Sequence, residues 1–177
     1  NEVESKMVLD ADRIIVNSIY MKKEVSRLFE RPLEMIDVIY NGVDLNKFNT
    51  VSRDADFRCR YAQNDEKIIF FVGRLVNEKG VHILMDAIPK VLNANKKVKF
   101  ISAAKAPETE RLKQRARELY VESRVCFSGY ISDEDLFKMY KCVDIAVFPS
   151  LYEPFGIVAL EGMVANVPVI VSNAGGL

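Results

Sequence analysis

The feature that most constrains this chain is an alternation that begins at Lys67. Short runs rich in β-branched and aromatic residues take turns with stretches whose apolar residues recur every three or four positions. Parallel strands need crossover connections, and helical crossovers cover the faces of the sheet, so this alternation points to an α/β fold: a parallel sheet with helices on both faces. Five strands are expected, at Lys67–Val72 (KIIFFV), Lys97–Ser102, Val125–Ser128, Asp144–Phe148 and Val167–Ser172. Four helices join them. The first spans Val81–Asn93, with Leu84, Ala87, Ile88, Val91 and Leu92 facing inward and Pro89 as a candidate kink. The second spans Pro107–Val121, its proline suited to a first turn. The third opens on Ser132-Asp133-Glu134-Asp135, which resembles a capping box, and runs to Lys141. The fourth spans Gly156–Ala165.

The amino-terminal part carries a smaller version of the pattern. Arg13–Asn17 reads as a strand and Ser18 as the N-cap of a helix with Met21, Val25, Leu28 and Phe29 on one stripe. Pro32 is expected to end that helix. Met35–Tyr40 is a second strand closed by the turn signal Asn41-Gly42. The polar stretch from Asp44 to Asp65 reads as a linker with one short helix at Ala55–Tyr61. A chain that starts at Asn1 and stops just after Gly175-Gly176 is expected to be a piece of something longer.

Composition narrows the function classes. Lysine plus arginine and aspartate plus glutamate both number 25, without a basic block, so a nucleic-acid partner has no electrostatic footprint. The three cysteines, Cys59, Cys126 and Cys142, form no CxxC spacing or His/Cys cluster. Buried thiols at Cys126 and Cys142, no metal site and a reducing cytoplasm are the expectation. No apolar run reaches transmembrane length and no signal peptide opens the chain.

In an open α/β sheet, ligands bind at the carboxyl ends of the strands. The polar and glycine-rich segments of this chain gather there: Gly73-Arg74 and Glu78-Lys79-Gly80 after the first strand of the regular unit, Pro149–Gly156 after the fourth, and Ala174-Gly175-Gly176 after the fifth. Together they offer two cations, two carboxylates, helix N-termini and glycines that permit close approach, a set suited to a nucleotide diphosphate. Taken singly, Arg74 and Lys79 are ordinary surface cations, Glu153 and Glu161 a helix cap and an exposed helical residue, and Gly80 and Gly156 turn residues. Their joint placement at one sheet edge is what singles them out. The lone His82, at a helix start, reads as a surface residue and not a general base.

These residues also carry a family resemblance. FVGRLVNEKG (Phe71–Gly80) resembles the Gly-Arg…Lys-Gly signature of family 4 glycosyltransferases, and SLYEPFGIVALEGM (Ser150–Met163) resembles their paired-glutamate motif, with Glu153 and Glu161 separated by seven residues. PVIVSNAGG (Pro168–Gly176), ADRIIVNS (Ala11–Ser18) and VIYNGVDLNKF (Val38–Phe48) match further segments in order. The resemblance, closest to archaeal and bacterial glycogen synthases, implies a GT-B protein of two Rossmann-like domains facing a cleft. Residues 1–50 would then be the last strand-helix-strand of the N-terminal domain with its crossover. Residues 51–177 would be the C-terminal nucleotide-sugar-binding domain, truncated at its end.

The activity implied is retaining hexosyl transfer from UDP- or ADP-glucose to a glucan or other glycan, without a cofactor or an obligatory metal. Arg74 and Lys79 would bind the donor diphosphate and stabilise its departure, and Glu153 would lie beside the donor sugar, these three being the catalytic set. Phe155 and Gly156 would contact sugar hydroxyls through their backbone, and Glu161 would bind the ribose. The acceptor would sit on the absent N-terminal domain, leaving this chain a weak nucleotide binder that catalyses nothing alone. Mannosyl or other hexosyl transfer in cell-surface glycan synthesis, and a non-catalytic nucleotide-sugar-binding subunit, are the competing readings. A GT-B epimerase should lack this set of cations and glutamates. The chain departs from its relatives in three places: no glycine occurs from Val81 to Ser128, so the loop 103–106 lacks its usual glycines; Asn166 replaces a glycine; and Gly162 replaces an alanine, at an expected cost of about 1 kcal/mol in a helix interior.

Overall fold

The computed structural model describes residues 2–49, 51–104 and 108–177. In chain order the elements are α1 (Glu2–Asp10), β1 (Ile14–Val16), α2 (Ile19–Phe29), β2 (Ile36–Val38), α3 (Leu45–Asn49), α4 (Ala55–Cys59), β3 (Lys67–Val72), α5 (Val81–Ala94), β4 (Val98–Ala103), α6 (Thr109–Glu118), β5 (Val125–Phe127), α7 (Asp133–Cys142), β6 (Ile145–Phe148), α8 (Ile157–Val164) and β7 (Val169–Val171). The expected α/β architecture is present. β1 and β2 form a two-stranded parallel sheet, and the other strands form a five-stranded parallel sheet in the order β5-β4-β3-β6-β7. From β3 the chain steps outward to β4 and β5, then returns to the other side of β3 for β6 and β7. Right-handed crossovers therefore put α5 and α6 on one face and α7 and α8 on the other. The reversal leaves a crevice at the carboxyl ends of β3 and β6, where open sheets of this kind bind ligands.

Several local signals read from sequence form as expected. Ser18 caps α2, its Oγ accepting from the Met21 amide, and Ser132 caps α7 by accepting from Asp135. Asn166 adopts a left-handed φ of 61°, which asparagine tolerates better than most residues. Helix α5 continues through Pro89 to Ala94. Its buried stripe is Val81, Met85 and Ile88, with Leu84, Val91 and Leu92 partly covered. Ala87, expected inside, is exposed. The true stripe starts at Val81, and stepping by four and then three residues turns Ala87 outward.

Other differences come from tertiary contacts. Helix α2 stops at Phe29 on a left-handed Glu30 (φ 51°), before Pro32 can act. The stretch after Asp44 holds a second short helix, α3, because Phe48 is driven into the core. It stacks edge-on with Phe137 at 4.8 Å and Tyr140 at 5.9 Å, and Tyr140 in turn meets Phe70 at 5.4 Å. Arg58, on α4, is also buried. Its guanidinium donates to the carbonyls of Cys142 and Glu66 and to Asp144, tying α4 to the amino-terminal edge of the sheet. Gly162 is buried because a Cβ there would come within 2.9 Å of Val169 Cγ2; α8 lies too close to β7 for alanine to fit without movement. Of the cysteines, Cys142 is buried, Cys126 is half-buried and Cys59 is exposed. The expected helix start at Pro107 lies outside the described residues, as do Lys105 and Ala106 of the loop without glycines. Among the described residues no helix is long and apolar enough to cross a membrane.

Candidate functional site

Three loops meet at the carboxyl edge of the large sheet, and their backbones interlock. After β3, a 3₁₀ turn over Asn77–Lys79 ends at Gly80, which has a φ of 65° and precedes α5. A Cβ on Gly80 would sit 1.9 Å from the Pro149 carbonyl oxygen, so only glycine lets this loop touch the one after β6. Across the same seam the amides of Leu151 and Tyr152 donate to the Glu78 carbonyl at 2.7 and 3.2 Å. The loop after β7 closes the third side. The Gly176 amide donates to the Glu153 carbonyl at 2.7 Å, and a Cβ on Gly175 would lie 2.1 Å from that oxygen.

Inside this frame the side chains of Lys79 and Glu153 pair, Nζ donating to Oε2 at 2.5 Å. The Glu153 side chain is 9% exposed and that of Lys79 21%, so the pair is largely desolvated with its cationic end toward solvent. The Ser150 hydroxyl donates to the same carboxylate oxygen at 3.2 Å, and Ser172 holds Ser150 by donating to its carbonyl. Gly156 borders Glu153: a Cβ there would fall 3.5 Å from Glu153 Cγ. Phe155 is half-buried beside it, its ring 6.3 Å from that of Tyr40. Neither α5 nor α8 has a side-chain cap, so the first amides of both helices lack the usual side-chain partner. Arg74 is exposed at the same edge and makes no hydrogen bond or ion pair among the described residues.

Glu161 lies apart from that pair, in the second turn of α8. The buried Tyr140 hydroxyl contacts its Oε2 at 3.3 Å and the Val158 carbonyl at 3.2 Å. Burial pushes the Glu161 carboxyl above its ordinary value; Asp133 adds to this, while the Tyr140 bond and Lys47 oppose it. A cavity of about 170 Å³ opens beside it, with Lys47, Phe48, Asp133 and Ile157 in its lining. The structure thus joins Lys79, Glu153, Phe155 and Gly156, sets Arg74 free at the same edge, and places Glu161 in a separate recess. His82 is half-buried and lines a cleft with Asp86 and Arg115 that includes none of these residues. A larger apolar recess of about 720 Å³ lies at the opposite, amino-terminal edge of the sheet, beneath α5, and holds none of these residues.

Sequence reasoning missed Ser150, Ser172 and Tyr140. Ser150 in a Pro-Ser turn and Ser172 just past a strand end look like turn residues, and a helical tyrosine among apolar neighbours looks like core, so no local signal separates them from their surroundings. Among the described residues no group of three or more His, Cys, Asp or Glu side chains is arranged to hold a metal ion.

Comparison with known proteins shows the family and the fold to which the chain belongs. Residues 52–177 match the family described as glycosyl transferases group 1. An uncharacterized glycosyltransferase of Methanocaldococcus jannaschii is 40% identical over 169 residues, covering 93% of this chain and 43% of that protein. Glycogen synthase of Mycobacterium tuberculosis is 34% identical over 175 residues, covering 99% of this chain and 41% of that protein. Among solved structures, Anabaena HepE in complex with UDP and glucose superposes with a TM-score of 0.79 at 28% identity, over 94% of this chain and 45% of that one. The chain therefore spans about two fifths of the length of the curated relatives it matches. With the family match over more than half its residues and a fold shared with GT-B glycosyltransferases, the chain belongs to the group 1 glycosyltransferases.

Proposed function

We propose that this chain is the donor-binding half of a retaining, family 4 glycosyltransferase that moves a hexosyl group from UDP- or ADP-glucose to a glucan or other glycan. The observation that carries the reading is the desolvated Lys79–Glu153 pair at the carboxyl edge, with Arg74 exposed in the loop after β3 at that edge and the uncapped N-termini of α5 and α8 opening there. A nucleotide diphosphate has the charge and the acceptor oxygens to use all of these at once. In transfer, the bond between the anomeric carbon and the diphosphate oxygen breaks with its electron pair leaving on the diphosphate. Arg74 and Lys79 neutralise that developing charge without the need for an obligatory metal, and Glu153 faces the sugar. The acceptor hydroxyl then bonds to the anomeric carbon on the face the diphosphate left, and its proton passes to an oxygen of the departing diphosphate. Phe155 and Gly156 offer backbone groups to sugar hydroxyls, and Glu161 accepts from the ribose. The glucose assignment follows the Glu-Pro-Phe-Gly form of the motif (Glu153–Gly156) and the glycogen synthase relative. The acceptor belongs to the remainder of the parent protein, so the chain alone binds donor weakly and transfers nothing.

Calorimetric titration with UDP, ADP and GDP tests this. Binding by at least one of them at millimolar concentration, abolished by Arg74→Glu, is the expected result. A chain indifferent to all three, or binding that survives the charge reversal, would overturn the diphosphate assignment.

A further inference from the structure

Ser18 lies far in sequence from the candidate site, yet it is 4% exposed and its hydroxyl does two things at once. It accepts from the Met21 amide at 3.1 Å as the cap of α2, and it donates to the carbonyl of Pro154 at 2.6 Å. A hydroxyl has one proton and two lone pairs, so both bonds coexist. Pro154 directly follows Glu153. The same loop is gripped at two other points by the amino-terminal unit. Tyr152 meets Tyr20 edge-on with ring centroids 6.0 Å apart and donates from its hydroxyl to Met21 Sδ at 3.5 Å, and Phe155 lies against Tyr40. The inner side of the loop is held by the Glu78 carbonyl and the Gly176 amide, as described above. The Glu153 backbone is thus suspended between the large sheet and α2.

We propose that Ser18 is a positioning residue for Glu153: by donating to the Pro154 carbonyl, it makes the placement of the sugar-side loop depend on the β1–α2–β2 unit. Capping alone would be served as well by aspartate, which has no proton to give; the proton is what serine adds. The consequence for donor binding rests on the function proposed above. The part of donor affinity that comes from the sugar should need this bond, while the part that comes from the nucleotide should not.

Three variants separate the two jobs of the hydroxyl. Ser18→Thr keeps both lone pairs and proton. Ser18→Asp caps α2 but has no proton to give. Ser18→Gly, which costs a cap only a few tenths of a kcal/mol, removes the proton without adding charge and decides the matter if the aspartate variant fails to fold. Amide hydrogen exchange on the ligand-free chain reads the latch directly. The Tyr152 and Gly176 amides should exchange roughly tenfold faster in Ser18→Asp and Ser18→Gly, with Lys22 still protected in Ser18→Asp and with Ser18→Thr like the parent. Unchanged rates at Tyr152 and Gly176 in both donor-less variants would overturn the proposal. Calorimetry then compares UDP-glucose with UDP. Loss of the glucose-dependent advantage in Ser18→Gly at constant UDP affinity supports positioning; equal loss for both ligands, or none, refutes it. A parent chain that binds neither ligand would sink the donor reading instead, and the exchange experiment would still decide the latch.

Discussion

Replacing Lys79 by methionine would leave the Glu153 carboxylate in a site where its side chain is 9% exposed and its remaining side-chain donor is the Ser150 hydroxyl. At an effective dielectric of about 20, unit charges 2.5 Å apart attract by roughly 7 kcal/mol, most of it offset by the desolvation of both groups. Stranding one member of a fully buried pair costs about 3–5 kcal/mol; the partial exposure of Lys79 lowers the expectation here to about 2–3 kcal/mol. Glu153→Gln should cost less, about 1 kcal/mol, because the amide still accepts from Ser150 and the lysine can turn to water. The double variant buries no charge, so it should be more stable than Lys79→Met alone, with a coupling energy of at least 1 kcal/mol. Urea unfolding at neutral pH, with unchanged slope across the set, measures all four proteins. Each kcal/mol should also shift the thermal midpoint by about 2–4 °C. Additivity within about 0.5 kcal/mol would refute the pairing, since two groups that do not interact have nothing to lose together. Stability regained in the double variant should not bring back UDP binding, because the cation is still missing.

Arg58→Met should destabilise the chain by about 3 kcal/mol in the same urea assay, leaving two carbonyls and Asp144 without their shared donor. Arg58→Lys should recover only part of this, since an ammonium cannot reproduce the guanidinium fork. Two of the carboxyl groups shifted by the fold, Glu161 and Asp144, predict opposite pH responses. The Glu161 carboxyl is raised above its ordinary 4.5, so its contribution is fullest below that pH and is lost as pH rises through the folded value. Glu161→Gln should therefore exceed the parent in stability near neutrality and converge with it in acid, as followed by thermal melts. Asp144 is opposed by burial but held below its ordinary 3.8 by the Ile68 amide, Lys67 and Arg58. Its contribution is present above that value and lost as pH falls through the folded one, so the acid limb of the parent should be steeper than that of Asp144→Asn. At the left-handed turn after α8, Asn166→Gly should stay within about 0.5 kcal/mol of the parent, while Asn166→Val should lose about 1–2 kcal/mol by the same melts.

That the chain is a glycosyltransferase was legible because two motifs lie largely in loops, where residue identity reports chemistry more directly than packing. The Lys79–Glu153 contact was only half legible. Both residues could be assigned to the same sheet edge, but their pairing depends on Gly80 lying against Pro149 and Gly175 against Glu153, approaches that no local pattern reports. Glu161 shows the reverse: its place on α8 was clear, whereas the Tyr140 hydroxyl beside it was hidden in an apolar stripe.

By itself the sequence determined the class of fold and the position of most of its elements to within a few residues, though not helices α1 and α3, because hydrophobic period, capping serines and turn residues act over one or two helical turns. Lys67–Val72 is a strand with the expected bounds, Ser18 and Ser132 cap their helices, and Asn166 turns left-handed. Only the tertiary structure decided the strand order β5-β4-β3-β6-β7, the burial of Arg58 and Phe48, and the hold of Ser18 on the loop that carries Glu153. Those outcomes join residues far apart in the chain. Their energies depend on how closely two backbones approach and on which polar groups lose water together, and neither quantity exists until the chain has folded.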